Sequence, residues 1–282
     1  MIKLATELYD VPYVHLVTTM PHKLNGLAKA HPSQMYNVLF NATNQTVKRI
    51  SKDPKYLGAQ TGMISVLHTF GSDMSYHVHI HSLLTFGGVN EDKKWVYPQQ
   101  KKRLCEHKHF RDTFKEIFLD LLEKEIEKKQ IIPTAIQLEL IADTKLKSWS
   151  YFVTKPTMNT ESIELYLARY INRIAVTNSR LQLLKDGTIV RLEYNKYRDQ
   201  KEGEAAPKGY KEMHPLDFLH QYLLHVPPPY FQKTRRYGIQ SNAAKKKYAD
   251  CLPKKLKVNG KTIKIVIQIM THLLGLPTMI CP

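Results

Sequence analysis

The chain has 282 residues, 43% of them hydrophobic, and carries 42 Lys and Arg against 25 Asp and Glu, a formal charge of +17. That apolar content can bury a substantial core, which excludes a disordered chain, and the charge suits a polyanionic partner, of which nucleic acid is the commonest. No 18-residue apolar stretch and no basic-then-apolar leader pattern occurs, so neither a membrane span nor export is expected. Cys105, Cys251 and Cys281 form no CxxC pair, which argues against a disulfide framework or an intact zinc module and for a reducing cytoplasm.

In chain order the first element is "YVHLVTT" (Tyr13 to Thr19), whose β-branched residues predict a strand. "HPSQMYNVLFNATNQTVKRIS" follows, with Pro32 near its start and apolar residues at Met35, Val38, Leu39, Ala42 and Val47, a helical spacing. "GMISVLHTFG" and "HVHIHSLLTFGG", separated by the polar "SDMS", predict a β-hairpin. From Phe110 to Lys129 the residues Phe110, Phe114, Ile117, Phe118, Leu121, Leu122 and Ile126 recur at the helical period. "SWSYFVTKP" is predicted as a strand and "ESIELYLARYINRIA" as a helix. "RLQLLKDGTIVRLEYNKY" reads as a hairpin turning at Asp186-Gly187 in a type I′ turn. The fold class expected is α+β, a central antiparallel sheet carrying the histidines with flanking helices, one of which presents two tyrosines.

The stretch "YHVHIHSLLTFGG" (Tyr76 to Gly88) sets three histidines at alternate positions of an apolar run. On a strand His77, His79 and His81 share one face while Val78 and Ile80 face the core. Imidazoles two residues apart stand about 7 Å apart along the strand and can converge on a metal ion. Buried neutral histidines with hydrogen-bond partners are the plainer alternative. If the hairpin turns between Asp73 and Met74, His68 lies opposite His79 and Val66 opposite His81, which makes His68 the candidate third ligand; a longer loop would bring Asp73 into contention. "CEHKHF" also holds two histidines two apart, His107 and His109, but it runs into a helix and is read as surface.

In "YLARYINR" Tyr166 and Tyr170 stand four apart and share a face of the predicted helix. A phenol beside a metal can attack a phosphodiester and form a covalent phosphotyrosine. Arg169, Arg173 and Arg180 are cations suited to holding phosphates nearby. From Phe231 to Lys264 there are eleven Lys or Arg and one acid, Asp250. Lys233, Arg235, Arg236, Lys245, Lys246 and Lys247 are its candidate DNA contacts, with a solvated basic tail as the alternative.

"YLARYINRIAVTNSRL" resembles the pattern YLGRYTHRVAISNHRL, and "MISVLHTFGSDMSYHVHIHSLLTFGG" resembles a strand pair ending HPHVHxxVxGGG. Both patterns belong to the two-tyrosine rolling-circle transposases of the HUH superfamily, typified by insertion sequence ninety-one. The resemblance runs from about Val11 through "FLHQYLLHVPPPYFQKTRRYGIQ". It implies an HUH endonuclease-like fold, His79 and His81 as the metal pair with His77 preceding them, and Tyr166 and Tyr170 as nucleophiles. It also implies Mg²⁺ or Mn²⁺ as cofactor, and single-stranded DNA, both transposon ends and target, as partner, in the nucleoid of a prokaryotic cytoplasm. Cleavage would leave a 5′-phosphotyrosine and a 3′-hydroxyl without ATP, in keeping with the lack of a GxxxxGK[ST] loop. Residues 1–230 are expected to form the catalytic domain and 231–282 a basic DNA-binding extension. The sequence departs from the pattern at Ala168, where glycine is usual, and at Ile171-Asn172, which replace Thr-His. The family's cysteine-rich modules are not matched, so a fragment or shortened copy is expected. A relaxase or replication initiator would share the chemistry, and a nucleic-acid-binding protein with structural zinc is the non-enzymatic alternative.

Overall fold

The computed structural model describes residues 8–158, 174–201 and 203–255. Strand β1 (Tyr13–Thr19) is followed by helices α1 (Asn25–Ala30) and α2 (Pro32–Lys52), then by the long strands β2 (Gly62–Phe70) and β3 (Tyr76–Thr85). After the short pair β4 (Gly88–Val89) and β5 (Trp95–Val96) come α3 (His107–Glu127), α4 (Ala135–Leu146) and β6 (Tyr151–Val153). Strands β7 (Leu181–Leu184), β8 (Ile189–Asn195) and β9 (Lys208–Met213) precede α5 (Pro215–Leu223), β10 (Thr234–Gly238) and α6 (Asn242–Lys247). The central sheet has the order β10-β2-β3-β1-β6 with every pairing antiparallel, so the α+β expectation holds.

Period-two alternation decides which face carries what. Val14 and Leu16 of β1, Leu67 of β2, and Val78, Ile80 and Leu84 of β3 join one apolar cluster with Met35, Leu39 and Ala42 of α2 and Phe114, Phe118 and Leu122 of α3. Burying each of the Val, Leu, Ile, Met and Phe side chains among these contributes about 1.5–3 kcal/mol, so this helix-covered face anchors the domain. Ser65 and Ser82 satisfy each other across the β2–β3 pair at 2.8 Å, which lets two buried hydroxyls sit on that face. The opposite face presents Tyr13, Ile64 and Leu83 to a second cluster with Leu8, Val11, Val89 and Ile239.

The β2–β3 turn is held from outside the sheet. Ser72 Oγ donates to the Asn195 carbonyl at 2.8 Å, and Gln221 Nε2 and His225 Nε2 both reach the Met74 carbonyl, at 2.7 and 2.9 Å. Met74 itself is fully buried against Val176 and Leu192. The second sheet β7-β8-β9 and α5 therefore serve as a buttress for the hairpin that carries the histidines.

Several expectations are adjusted. The β7–β8 turn places Lys185 and Asp186 at positive φ, with Gly187 also positive and Gly187 N bonding Leu184 O, so the turn's central pair lies one residue earlier than Asp186-Gly187. Helix α3 begins at His107, three residues before Phe110, and His107 and His109 are exposed on its first turn. Helix α4, started by a Thr134/Gln137 capping box, was not expected. Thr234–Gly238, from the stretch expected as a basic extension, is an edge strand of the central sheet. Of the helix expected over residues 161–175, residues 161–173, with both tyrosines, lie outside the described residues, and Ile174 and Ala175 are not helical.

Gly238 ends β10 at φ +56, where a Cβ would meet the Thr61 carbonyl oxygen at 1.9 Å. Gly238→Ala should cost about 1–3 kcal/mol, read as a lower urea midpoint at unchanged m-value; an unchanged midpoint would show that β10 is not docked as described. Burial holds the His225 imidazole below its usual pKa despite its bonds to Met74 and Thr69. The folded chain keeps this ring neutral where the unfolded chain takes up a proton near pH ~6.5, so stability present at neutral pH is lost on acidification through that value. The melting temperature should fall more steeply below that pH in the wild type than in His225→Gln; equal slopes would exclude the assignment.

Candidate metal centre

The pairing of β2 with β3 sets His68 opposite His79 and Val66 opposite His81, the register expected of a turn between Asp73 and Met74, with a bulge between His68 and Phe70. A slip of one residue would send the histidines into the helix-packed core. Asp73, the alternative ligand, instead bonds the Ser75 hydroxyl at 2.6 Å and caps the turn. His68, His79 and His81 are 1%, 9% and 7% exposed, so three imidazoles lie together nearly out of water.

One ring nitrogen from each of the three lies within 4.8 Å of the others. His79 Nε2 and His81 Nε2 are 3.1 Å apart. Two nitrogens each about 2.1 Å from one ion, at right angles, are about 3.0 Å apart, so the pair fits a shared cation. His79 Nδ1 lies 2.8 Å from the His77 carbonyl, which accepts a proton held there and leaves Nε2 with its lone pair toward the cluster. The other side of His81 meets a residue not singled out in the sequence: His15 Nε2 is 2.9 Å from His81 Nδ1. Burial lowers the His15 pKa to about 4, which keeps it neutral. The signal for His15 was its odd position in β1, which places it on the histidine face.

His77, half-buried, stacks on exposed His22 with ring centroids 4.8 Å apart. Two cavities share this pair. One, of about 520 Å³, extends past Asp73 to Tyr194, Lys196 and Tyr197, and the other, of about 340 Å³, runs to Lys23, Lys147 and Trp149.

The candidate basic residues are dispersed. Arg180 donates from Nε to the Glu193 carbonyl at 2.8 Å and from Nη2 to the Ser72 carbonyl, tying the second sheet to the hairpin turn. Arg235 lies over Phe40, 4.2 Å from the ring centroid, and bonds Asn37, on the helix side of the sheet. Arg236, one position on, pairs with Ile64 in register, is exposed and belongs to the histidine face. Lys233 is half-buried and its pKa is lowered by that burial. Lys245, Lys246 and Lys247 lie in α6, the last two exposed. Tyr166, Tyr170, Arg169 and Arg173 lie outside the described residues, so the structure does not place them beside the cluster.

An antiparallel sheet whose central strands gather a His-hydrophobic-His pair and a third imidazole is consistent with an HUH motif. The profile of a family described as "Putative transposase" matches residues 62–247, and the chain belongs to that family. It is similar to "Putative transposase y4qJ" of Sinorhizobium fredii, 30% identical over 262 residues, covering 87% of this chain and 63% of the relative. It is also similar to "Transposase for insertion sequence element IS801" of Pseudomonas savastanoi pv. phaseolicola, 26% identical over 275 residues, covering 92% of this chain and 62% of the relative. The chain thus spans less than two thirds of the length of these curated relatives. Among the described residues no helix is long and apolar enough to cross a membrane.

A cation held by the folded cluster and not by the unfolded chain stabilises by mass action, about 2.7 kcal/mol at a hundredfold excess over Kd. Mn²⁺ should therefore raise the thermal midpoint of the wild type in a concentration-dependent way, and His79→Ala or His81→Ala should remove most of the rise. An unresponsive wild type would show that these histidines are packing groups only.

Proposed function

We propose that the chain is a transposase that cuts and rejoins single-stranded DNA, with a divalent cation on His68, His79 and His81 and with Tyr166 and Tyr170 as nucleophiles. The supporting observation is the 3.1 Å approach of two imidazole nitrogens inside a buried three-histidine cluster. Three neutral imidazoles held nearly out of water, each with a nitrogen toward the other two, form a donor set that one cation can share.

The cation supplies positive charge to the non-bridging oxygens of a scissile phosphate. The cofactor proposed is Mg²⁺ or Mn²⁺, and Mn²⁺ is the spectroscopically visible probe of the two. In the proposed reaction a tyrosine oxygen forms a bond to phosphorus as the bond to the 3′-oxygen breaks. The phenol gives up its proton, the leaving 3′-oxygen takes one up to become a hydroxyl, and the DNA 5′ end stays on the protein as a phosphotyrosine. A later 3′-hydroxyl reverses the exchange, so the ester conserves the bond and no nucleotide cofactor is consumed. Two tyrosines let two strands be held at once.

The chain's own residues supply the remaining requirements. The His77 carbonyl fixes the tautomer of His79. Tyr194, Tyr197 and the His22–His77 pair offer ring faces on which unpaired bases can stack, while Lys23, Lys147 and Lys196 line the same cavities with positive charge. Lys246, Lys247 and Arg236 add exposed charge for the DNA backbone. This reading places the protein on transposon ends and targets in a prokaryotic nucleoid, with the insertion sequence ninety-one type as the specific class.

Incubation with single-stranded oligonucleotides and Mn²⁺ should give a denaturant-stable protein–DNA adduct. The double variant Tyr166→Phe, Tyr170→Phe should give none. His79→Ala and His81→Ala should lose cleavage by at least about 100-fold while keeping DNA affinity within a few-fold, because basic side chains dominate non-specific binding. A wild type that forms no adduct, or a double variant that forms as much, would rule the proposal out.

A further inference from the structure

We infer that His15 is a positioning residue for the metal centre: by pairing edge-on with His81 Nδ1 it can accept the His81 proton there and leave His81 Nε2 for the cation. This inference rests on the metal reading above and concerns a residue outside the ligand set.

The geometry is specific. In the sheet His15 lies opposite Leu83, so it is a diagonal neighbour of His81, within reach of a long aromatic side chain. The ring planes are inclined by only 24° and the centroids are 5.1 Å apart. A nitrogen–nitrogen separation of 2.9 Å plus half a ring on each side accounts for that distance, so the rings meet through their edges as a hydrogen bond does, not face to face. The position of His15 is fixed independently. Its backbone N–H donates to Thr154 Oγ1 at 3.0 Å, its carbonyl accepts from Thr154 N at 2.9 Å, and Phe152 packs edge-on against its ring.

Proton counting then links three rings. His79 holds its proton on Nδ1 for the His77 carbonyl. Without a cation, the 3.1 Å contact between the Nε2 atoms of His79 and His81 needs a proton between two lone pairs. The neutral arrangement puts that proton on His81 Nε2, so His81 Nδ1 must accept from His15 Nε2–H. A cation bound by both Nε2 atoms needs both lone pairs. The His81 proton then resides on Nδ1 and is donated to His15 Nε2, and His15 carries its own proton on Nδ1. Both arrangements hold the same number of protons, and no oxidation or charge change is involved. His15 is thus an adaptable partner that donates in one state and accepts in the other. An aliphatic residue there would leave the His81 Nδ1–H of the loaded state without this acceptor. Partners of this kind typically contribute 10–100-fold to metal affinity.

The test measures Mn²⁺ affinity by electron paramagnetic resonance titration without DNA. His15→Leu should weaken binding by about 10–100-fold relative to wild type, whereas His15→Gln, whose amide oxygen can accept the same proton, should stay within a few-fold. Circular dichroism melts of the metal-free variants check folding. Histidine ¹⁵N–¹H long-range correlation spectra of the wild type give a readout that does not depend on any variant: with Zn²⁺ as a diamagnetic probe, His81 should carry its proton on Nδ1. Equal affinities of wild type and His15→Leu, or equal losses in the leucine and glutamine variants, would overturn the inference while leaving the metal reading intact, whereas a proton on His81 Nε2 with Zn²⁺ bound would overturn the inference and also remove that nitrogen from the ligand set. Failure of the wild type itself to bind Mn²⁺ would overturn both.

Discussion

The antiparallel register of β2 against β3 is the constraint on which the site depends. Strand geometry gives each residue one of two faces, and here the two faces have opposite requirements. Val78 and Ile80 must enter the helix-packed core, and that commitment turns His79 and His81 the other way. The pairing His68↔His79 then adds a third imidazole without help from any loop. Hydrophobic burial on one side of the sheet therefore holds the polar cluster on the other. The placement of the histidines is backed by the large, cooperative part of the folding energy, and the His77 carbonyl and His15 orient the rings within it.

The rest of the described chain keeps that hairpin in register. Ser72 and Met74 in its turn are held by β8, α5 and His225, and Arg180 ties the same turn to the second sheet. On the far edge β10 closes against β2, which fixes Arg236 on the histidine face and Arg235 on the helix face. Positive charge from one short run of sequence is thereby split between a packing contact over Phe40 and an exposed position. Among the described residues, the lysines lining the two cavities beside His77, Lys196 and the Asp143-paired Lys23 and Lys147, come from distant parts of the chain.

Much of this was legible in the sequence where one physical signal dominated. The alternation in "YHVHIHSLL" and the apolar spacing of α2 and α3 identified those elements, and the length of the turn was enough to pair His68 with His79. Signals that compete were not legible. In β10 the charges of "TRRYG" outweighed its strand character, because β pairing at a sheet edge needs only one apolar face. Helix α4 leaves Ile136, Leu138 and Leu146 exposed, so its apolar residues mark no single buried stripe. His15 sat unnoticed in a strand correctly located, because a diagonal contact depends on the register of two strands far apart in sequence, β1 and β3. Tyr166 and Tyr170 were conspicuous by pattern, but a meeting with the cluster is a question of tertiary placement that pattern does not carry, and both lie outside the described residues.

The central claim is that one divalent cation sits between imidazoles of β2 and β3. Anomalous X-ray diffraction at the manganese edge from crystals grown with Mn²⁺ tests it most directly. The account predicts a single strong peak about 2.1–2.2 Å from Nε2 of both His79 and His81, with a His68 nitrogen completing the protein ligands. A peak located elsewhere, with these two nitrogens still joined to each other by a proton, would contradict it.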